Sequence, residues 1–148
     1  MAFETPIHDS MFVESKPSAI YDVSKKVFSG LKDNGFSEDD IFAVHLALEE
    51  AFLNAIKHGN KMDPNKKVKI DFLVDLDRIE ISLTDQGEGF KPEMVPDPRL
   101  GENLYKTSGR GLLLINSYMD LVEYNESGTC LRMVRYKEKP DLSKKHFN

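Results

Sequence analysis

The sequence predicts an α+β domain, a two-layer α/β sandwich with helices on one face of a mostly antiparallel sheet. Three observations carry this reading. Two pairs of β-type runs are each joined by a tight turn, a connection open to antiparallel neighbours and not to parallel ones. The element order read from hydrophobic periodicity, β-α-α-β-β, an irregular stretch, then α-β-β, groups the helices beside those hairpins instead of alternating them with single strands. A chain of 148 residues with 40% hydrophobic and 30% charged side chains suits one globular domain with its own core, and that composition excludes disordered, collagen-like and membrane classes.

His8 to Glu14 reads as a short edge strand. Pro17-Ser18 then opens a helix from Ala19 to Asn34 that sets Ile20, Val23, Val27 and Leu31 on one face, and Asn34-Gly35 closes it. Ser37 followed by Glu38-Asp39-Asp40 is an N-cap with an acidic first turn, which suits the helix dipole and starts a second, long helix ending at His58-Gly59. Lys67 to Asp75 and Arg78 to Asp85 form a hairpin about Asp75-Leu76-Asp77. From Gly87 to Gly109 the chain is rich in Gly and Pro and lacks periodicity, and a stretch of that length in a compact domain is commonly a functional lid or disordered. Gly111 to Tyr118 reads as a short helix, and Leu121 to Asn125 with Thr129 to Lys137 as a second hairpin about Glu126-Ser127-Gly128. The domain is therefore expected over residues 9–137, with flexible tails at 1–8 and 138–148.

The formal charge of −5 argues against a broad electrostatic grip on nucleic acid or on an anionic membrane, and points to a protein or small-molecule partner. The one cysteine, Cys130, supports neither an internal disulfide framework nor a Cys-rich zinc site. No secretory signal is expected at the N-terminus, and the longest apolar runs, such as Leu112 to Ile115, fall far short of a bilayer span. Cytoplasmic localisation follows as the expectation.

On the second helix Glu50, Asn54 and His58 recur at i, i+4, i+8 and share one stripe, bordered by Lys57 and extended by Ala43 and Ala47. Ile41, Val44, Leu48, Phe52, Ala55 and Ile56 form the opposite, core face. The stripe reads either as a solvated surface or, because small residues beside polar ones leave room, as one wall of a ligand site. A carboxylate and a carboxamide one turn apart suit a general base and a hard Mg²⁺ ligand respectively, whereas His58 reads as a helix-end residue without a catalytic role.

Three glycine signals follow. Asp85-Gln86-Gly87-Glu88-Gly89-Phe90 comes after an apolar strand, yet Phe90-Lys91-Pro92 does not open a helix, so it is no dinucleotide fingerprint. No P-loop occurs either. Ser108-Gly109-Arg110-Gly111 lies at the mouth of a helix, where free backbone N–H groups favour phosphate. Gly128-Thr129 is an ordinary hairpin turn unless a ligand uses its hydroxyl.

Taken in order, Glu50-x-x-x-Asn54-x-x-x-His58, Asp85-x-Gly87-x-Gly89, Gly109-x-Gly111 and Gly128-Thr129 resemble the GHKL ATPase family with its Bergerat (histidine-kinase-like ATPase) fold. Within it the chain looks like the stand-alone anti-sigma factor serine/threonine kinases of bacteria, with the run Gly109 to Ile115 followed by Met119-Asp120 similar to that branch. The resemblance covers Asp9 to Lys137. It implies Glu50 as the catalytic base, Asn54 as the Mg²⁺ ligand linking the metal to the ATP phosphates, and Asp85 as acceptor for the adenine amino group. By the same resemblance, Gly87 and Gly89 let the backbone approach base and sugar, Gly109 and Gly111 bring lid amides to the phosphates, and Thr129 reaches the adenine end. Some members carry a basic residue just before the lid's glycines; this chain has Thr107-Ser108, with Lys106 and Arg110 the nearest cations.

The function so implied is an ATP-dependent serine/threonine kinase and anti-sigma factor. It would phosphorylate a small anti-sigma factor antagonist and sequester a sigma factor, as a cytoplasmic homodimer with no direct nucleic-acid or membrane contact. The alternative is a non-catalytic ATP-sensing module that sequesters a regulatory partner; Glu50 favours the kinase, since a pure sensor needs no base. A histidine-kinase domain acting in trans lacks support, because no phosphoacceptor helix is recognisable.

Overall fold

The computed structural model describes residues 6–89 and 109–137. Among them the chain forms β1 (Ile7–Glu14), a 3₁₀ turn at Pro17–Ala19, α1 (Ile20–Asp33), α2 (Glu38–Asn54), a π-turn at Ala55–Gly59, β2 (Lys67–Val74), β3 (Arg78–Thr84), α3 (Gly109–Tyr118), β4 (Leu121–Tyr124) and β5 (Cys130–Tyr136). The five strands lie in the order β1-β2-β3-β5-β4, and every neighbouring pair is antiparallel. This is the expected α+β class. The expected tail over 1–8 needs correction at its end: Ile7 and His8 already pair with Val74 and Leu73. Residues 1–5, 90–108 and 138–148, which include most of the expected lid and the expected C-terminal tail, lie outside the described residues.

Alternation along the strands gives the sheet one buried face. Val68, Ile70, Phe72 and Val74 of β2, Ile79, Ile81 and Leu83 of β3, and Leu131 and Met133 of β5 turn into the core. There they meet the stripe Ile20, Val23, Val27 and Leu31 of α1 and Val44, Leu48, Phe52 and Ile56 from α2 and the turn after it. On the other face Arg132 bridges Glu80 and Glu123 at 3.0 and 2.8 Å, a ladder of exposed and half-buried charges that suits a solvated surface.

Ser37 caps α2 in a reciprocal box: its hydroxyl accepts from the Asp40 N–H at 3.1 Å while the Asp40 carboxylate accepts from the Ser37 N–H at 3.4 Å. Helix α2 is buried on more than its apolar side. Ala43, Ala47 and Ala51 are all buried, and α3 packs against α2. The small residues Ala43 and Ala47, expected to make room for a ligand, are buried and lie outside the cavity that Ala51 borders.

Candidate functional site

Helix α2 does not finish as an α-helix. Its last turn widens to a π-turn in which the Asn60 N–H reaches the Ala55 carbonyl at 2.8 Å and the Met62 N–H reaches the Ile56 carbonyl at 2.7 Å. Lys61 and Met62 then adopt left-handed backbone angles, φ 53° and 58°, uncommon for side-chain-bearing residues. The anchor that holds them is Asn60, which is fully buried. Its Nδ2 donates to Ser15 Oγ at 3.0 Å and to the Lys67 carbonyl at 3.1 Å, and its Oδ1 accepts from the Gln86 N–H at 2.7 Å. Gln86 Oε1 in turn accepts from the Lys67 N–H at 2.6 Å. One carboxamide therefore ties the end of β1, the start of β2 and the exit of β3 to the end of α2.

That tie places Asp85. Its N–H donates to the Thr129 carbonyl at 2.9 Å, continuing the β3–β5 pairing, and its Oδ1 accepts from the Gly87 N–H at 2.8 Å. A Cβ at Gly59 would collide with the Asp85 carboxylate, and one at Gly87 would collide with the Gly59 carbonyl. At Gly89, φ is +77° and a Cβ would strike the Ser127 carbonyl. Burial raises the Asp85 pKa above the usual carboxylate value, opposed by the Gly87 hydrogen bond and the charge of Lys66. His58 is shifted the other way, by burial and then by the charge of Lys57, both of which favour the neutral imidazole.

Around these groups lies a cavity of about 290 Å³. Ala51 and Asn54 border it from α2, Ala55, His58 and Gly59 from the π-turn, Lys61 from the loop beyond, and Leu83, Asp85 and Gly89 from β3 and its exit. Tyr124, Gly128, Thr129 and Leu131 close it from the second hairpin. An apolar space with a few convergent polar groups suits a flat heteroaromatic ring held by directional hydrogen bonds.

Of the residues singled out in the sequence, Asn54, Asp85, Gly89 and Thr129 border this one cavity. Gly87 does not; its contact with Gly59 is internal to the protein. Glu50 is half-buried one turn before Asn54 and outside the lining. Gly109 and Gly111 fall in the first turn of α3, and Lys106, Thr107 and Ser108 lie outside the described residues. The Thr129 hydroxyl is engaged within its own turn, 2.8 Å from Ser127 Oγ and 3.3 Å from Asn125 Nδ2. Sequence reasoning missed Gly59 and Tyr124 as residues of the cavity wall. Gly59 was within reach, since it adjoins His58; Tyr124 becomes a wall only through strand order.

Among the described residues no group of three or more His, Cys, Asp or Glu side chains could hold a metal ion by itself. Asn54, 8% exposed and bordering the cavity, fits the role of a single carboxamide ligand to Mg²⁺, an ion that takes few protein ligands and fills its shell with phosphate oxygens and water. No helix among the described residues is long and apolar enough to cross a membrane.

A cavity between the end of one helix and the last hairpin of a five-stranded antiparallel sheet, bordered by a half-buried carboxylate, suits a nucleotide-binding ATPase domain. The histidine kinase-like ATPase domain family matches residues 13–135, and the chain belongs to that family. It is 39% identical over 117 residues to the serine-protein kinase RsbW of Staphylococcus epidermidis, covering 73% of each chain. It is also 31% identical over 134 residues to that of Oceanobacillus iheyensis, covering 85% of this chain and 84% of the relative. A solved structure of the RsbU and RsbW domains of a Mycobacterium tuberculosis protein superposes with a TM-score of 0.59 at 15% identity, over 91% of this chain and 33% of that one, and so shares the fold. The protein is an ATP-binding, ATP-dependent protein serine/threonine kinase.

Proposed function

We propose that this kinase is an anti-sigma factor that phosphorylates a serine or threonine of a small antagonist protein in a partner-switching pathway, and that it holds a sigma factor when the antagonist is absent. The observation that supports it best is that Asn54 and Asp85, separated by a hairpin in sequence, border one cavity together with Thr129. In this reading a single domain over 9–137 works as a cytoplasmic homodimer, without direct nucleic-acid or membrane contact.

Asp85 accepts the adenine amino group, with Gly59 and Gly87 leaving space for its carboxylate to stand where it does. Asn54 would hold Mg²⁺, which when bound would neutralise charge on the phosphates of ATP. Glu50 takes the proton of the attacking hydroxyl, and the amides of Gly109 and Gly111 orient the phosphates. Gly89 keeps the site's rim close to the sugar, and Thr129 supports the adenine end through its turn.

Incubation with labelled ATP, Mg²⁺ and candidate acceptors tests this. Acid-stable label on a small antagonist is the expected result, whereas acid-labile label would indicate phosphohistidine and overturn it.

A further inference from the structure

Asp40 is a fully buried carboxylate at the end of α2 opposite the cavity, and nothing in the nucleotide site uses it. Its Oδ1 accepts from Arg135 Nε at 2.9 Å, and the same guanidinium donates through Nη1 to the carbonyl of Tyr118, the last residue of α3, at 2.6 Å. The junction beyond α3 is held on the same strand: the Asp120 N–H donates to the Val134 carbonyl at 2.8 Å, and Asp120 Oδ2 accepts from the Tyr136 N–H at 2.7 Å.

These contacts fix direction as well as position. The C-terminus of α3 lies at the N-terminus of α2, and the two helices pack together, so they run antiparallel. At a rise of 1.5 Å per residue, α3 carries its first residue, Gly109, about 14 Å back along α2, level with the turn that holds Glu50 and one turn short of Asn54. We propose that Arg135 is a positioning residue, which by binding Asp40 and the Tyr118 carbonyl at once sets α3 along α2 so that the first residue of α3, Gly109, stands level with the turn that holds Glu50. The consequence for phosphate binding rests on the nucleotide reading above. Only arginine suits the task, because Nε and Nη present separate N–H groups in one rigid plane, while a lysine ammonium is a single point on a flexible stem.

Amide hydrogen exchange on the nucleotide-free protein, with calorimetric titration by Mg-ATP and by adenosine, tests the proposal on Arg135→Met and Arg135→Lys. In Arg135→Met, exchange should accelerate in α3 and the first turn of α2 while β2 and β3 keep their protection. ATP affinity should fall about tenfold or more with adenosine affinity within about threefold of wild type, a loss confined to the phosphates. Arg135→Lys should fall between the two proteins, and carries the comparison alone where the methionine variant does not fold. Exchange rising evenly over every element, or ATP and adenosine weakened by one factor, would make Arg135 merely structural and overturn the proposal. A wild-type protein that binds neither ligand would overturn the nucleotide reading instead, while the exchange pattern still decides the anchoring.

Discussion

Gly59 and Asp85, on the π-turn and on the exit of β3, are packed so closely that no side chain can be added to the first without displacing the carboxylate of the second. Gly59→Ala should therefore lose nucleotide binding and also some stability, on the order of the 1–3 kcal/mol typical of overpacked sites. Gly87→Ala should behave alike, through the Gly59 carbonyl. Denaturant melts paired with Mg-ATP titration check both; full affinity in either variant would show that Asp85 is not held by this contact.

Asp85→Asn should weaken ATP binding by roughly ten- to a hundredfold, the range of a charge-assisted hydrogen bond of about 1.5–3 kcal/mol. Stability should move the other way. Because the folded-state pKa of Asp85 is raised, its proton is bound more tightly in the native state, so its relative contribution to stability is full at low pH and is lost as pH rises through the folded pKa. At pH 7 the asparagine variant, whose Oδ1 can still accept from the Gly87 N–H, should melt no lower than wild type, and any advantage should vanish in acid. The wild-type affinity for ATP should also fall on acidification at a pH above the usual aspartate range, as the acceptor is protonated, with the variant showing no such step. Melting curves and titrations from pH 4 to 8 measure all three.

Glu50→Gln should keep nucleotide affinity and lose phosphoryl transfer by about 10²–10⁴, the usual cost of removing a general base. Single-turnover transfer to the acceptor is the measurement. A wild-type rate would return Glu50 to the role of a half-buried polar residue on α2.

If the proposed function holds, the sigma factor and the unphosphorylated antagonist should compete for one surface near α1, so that no stable ternary complex forms. In the proposed reading, phosphorylation would add about −1.5 to −2 charge to the antagonist, which would disfavour its complex with a protein of net charge −5 and free the kinase for the sigma factor. Competition binding with the two antagonist forms decides this; a ternary complex would sink the exclusive switch.

Periodicity made much of this fold legible, because a strand's alternation and the apolar stripe of α1 are local properties. Ile20, Val23, Val27 and Leu31 are buried as their spacing predicts. The end of α2 was not legible: nothing around Asn60 marks it as a buried hub, since its partners Ser15, Lys67 and Gln86 are brought to it by tertiary folding. Ala43 and Ala47 misled for the same reason, as a wheel records which residues share a face and not what will cover it. At the site, Asp85 and Thr129 were each readable as turn residues, but the backbone bond that sets them side by side follows from β5 lying next to β3.

Tyr124 gives the cavity an optical handle. The chain has no tryptophan and five tyrosines, so its near-ultraviolet emission comes from tyrosine alone, and one of those rings lies in the wall of the cavity. A base entering beside Tyr124 changes the emission of that ring directly, and Tyr124→Phe supplies the spectroscopic blank without removing the ring from the wall. Occupancy can thus be followed in real time on unlabelled protein, at concentrations where partner exchange is also measurable.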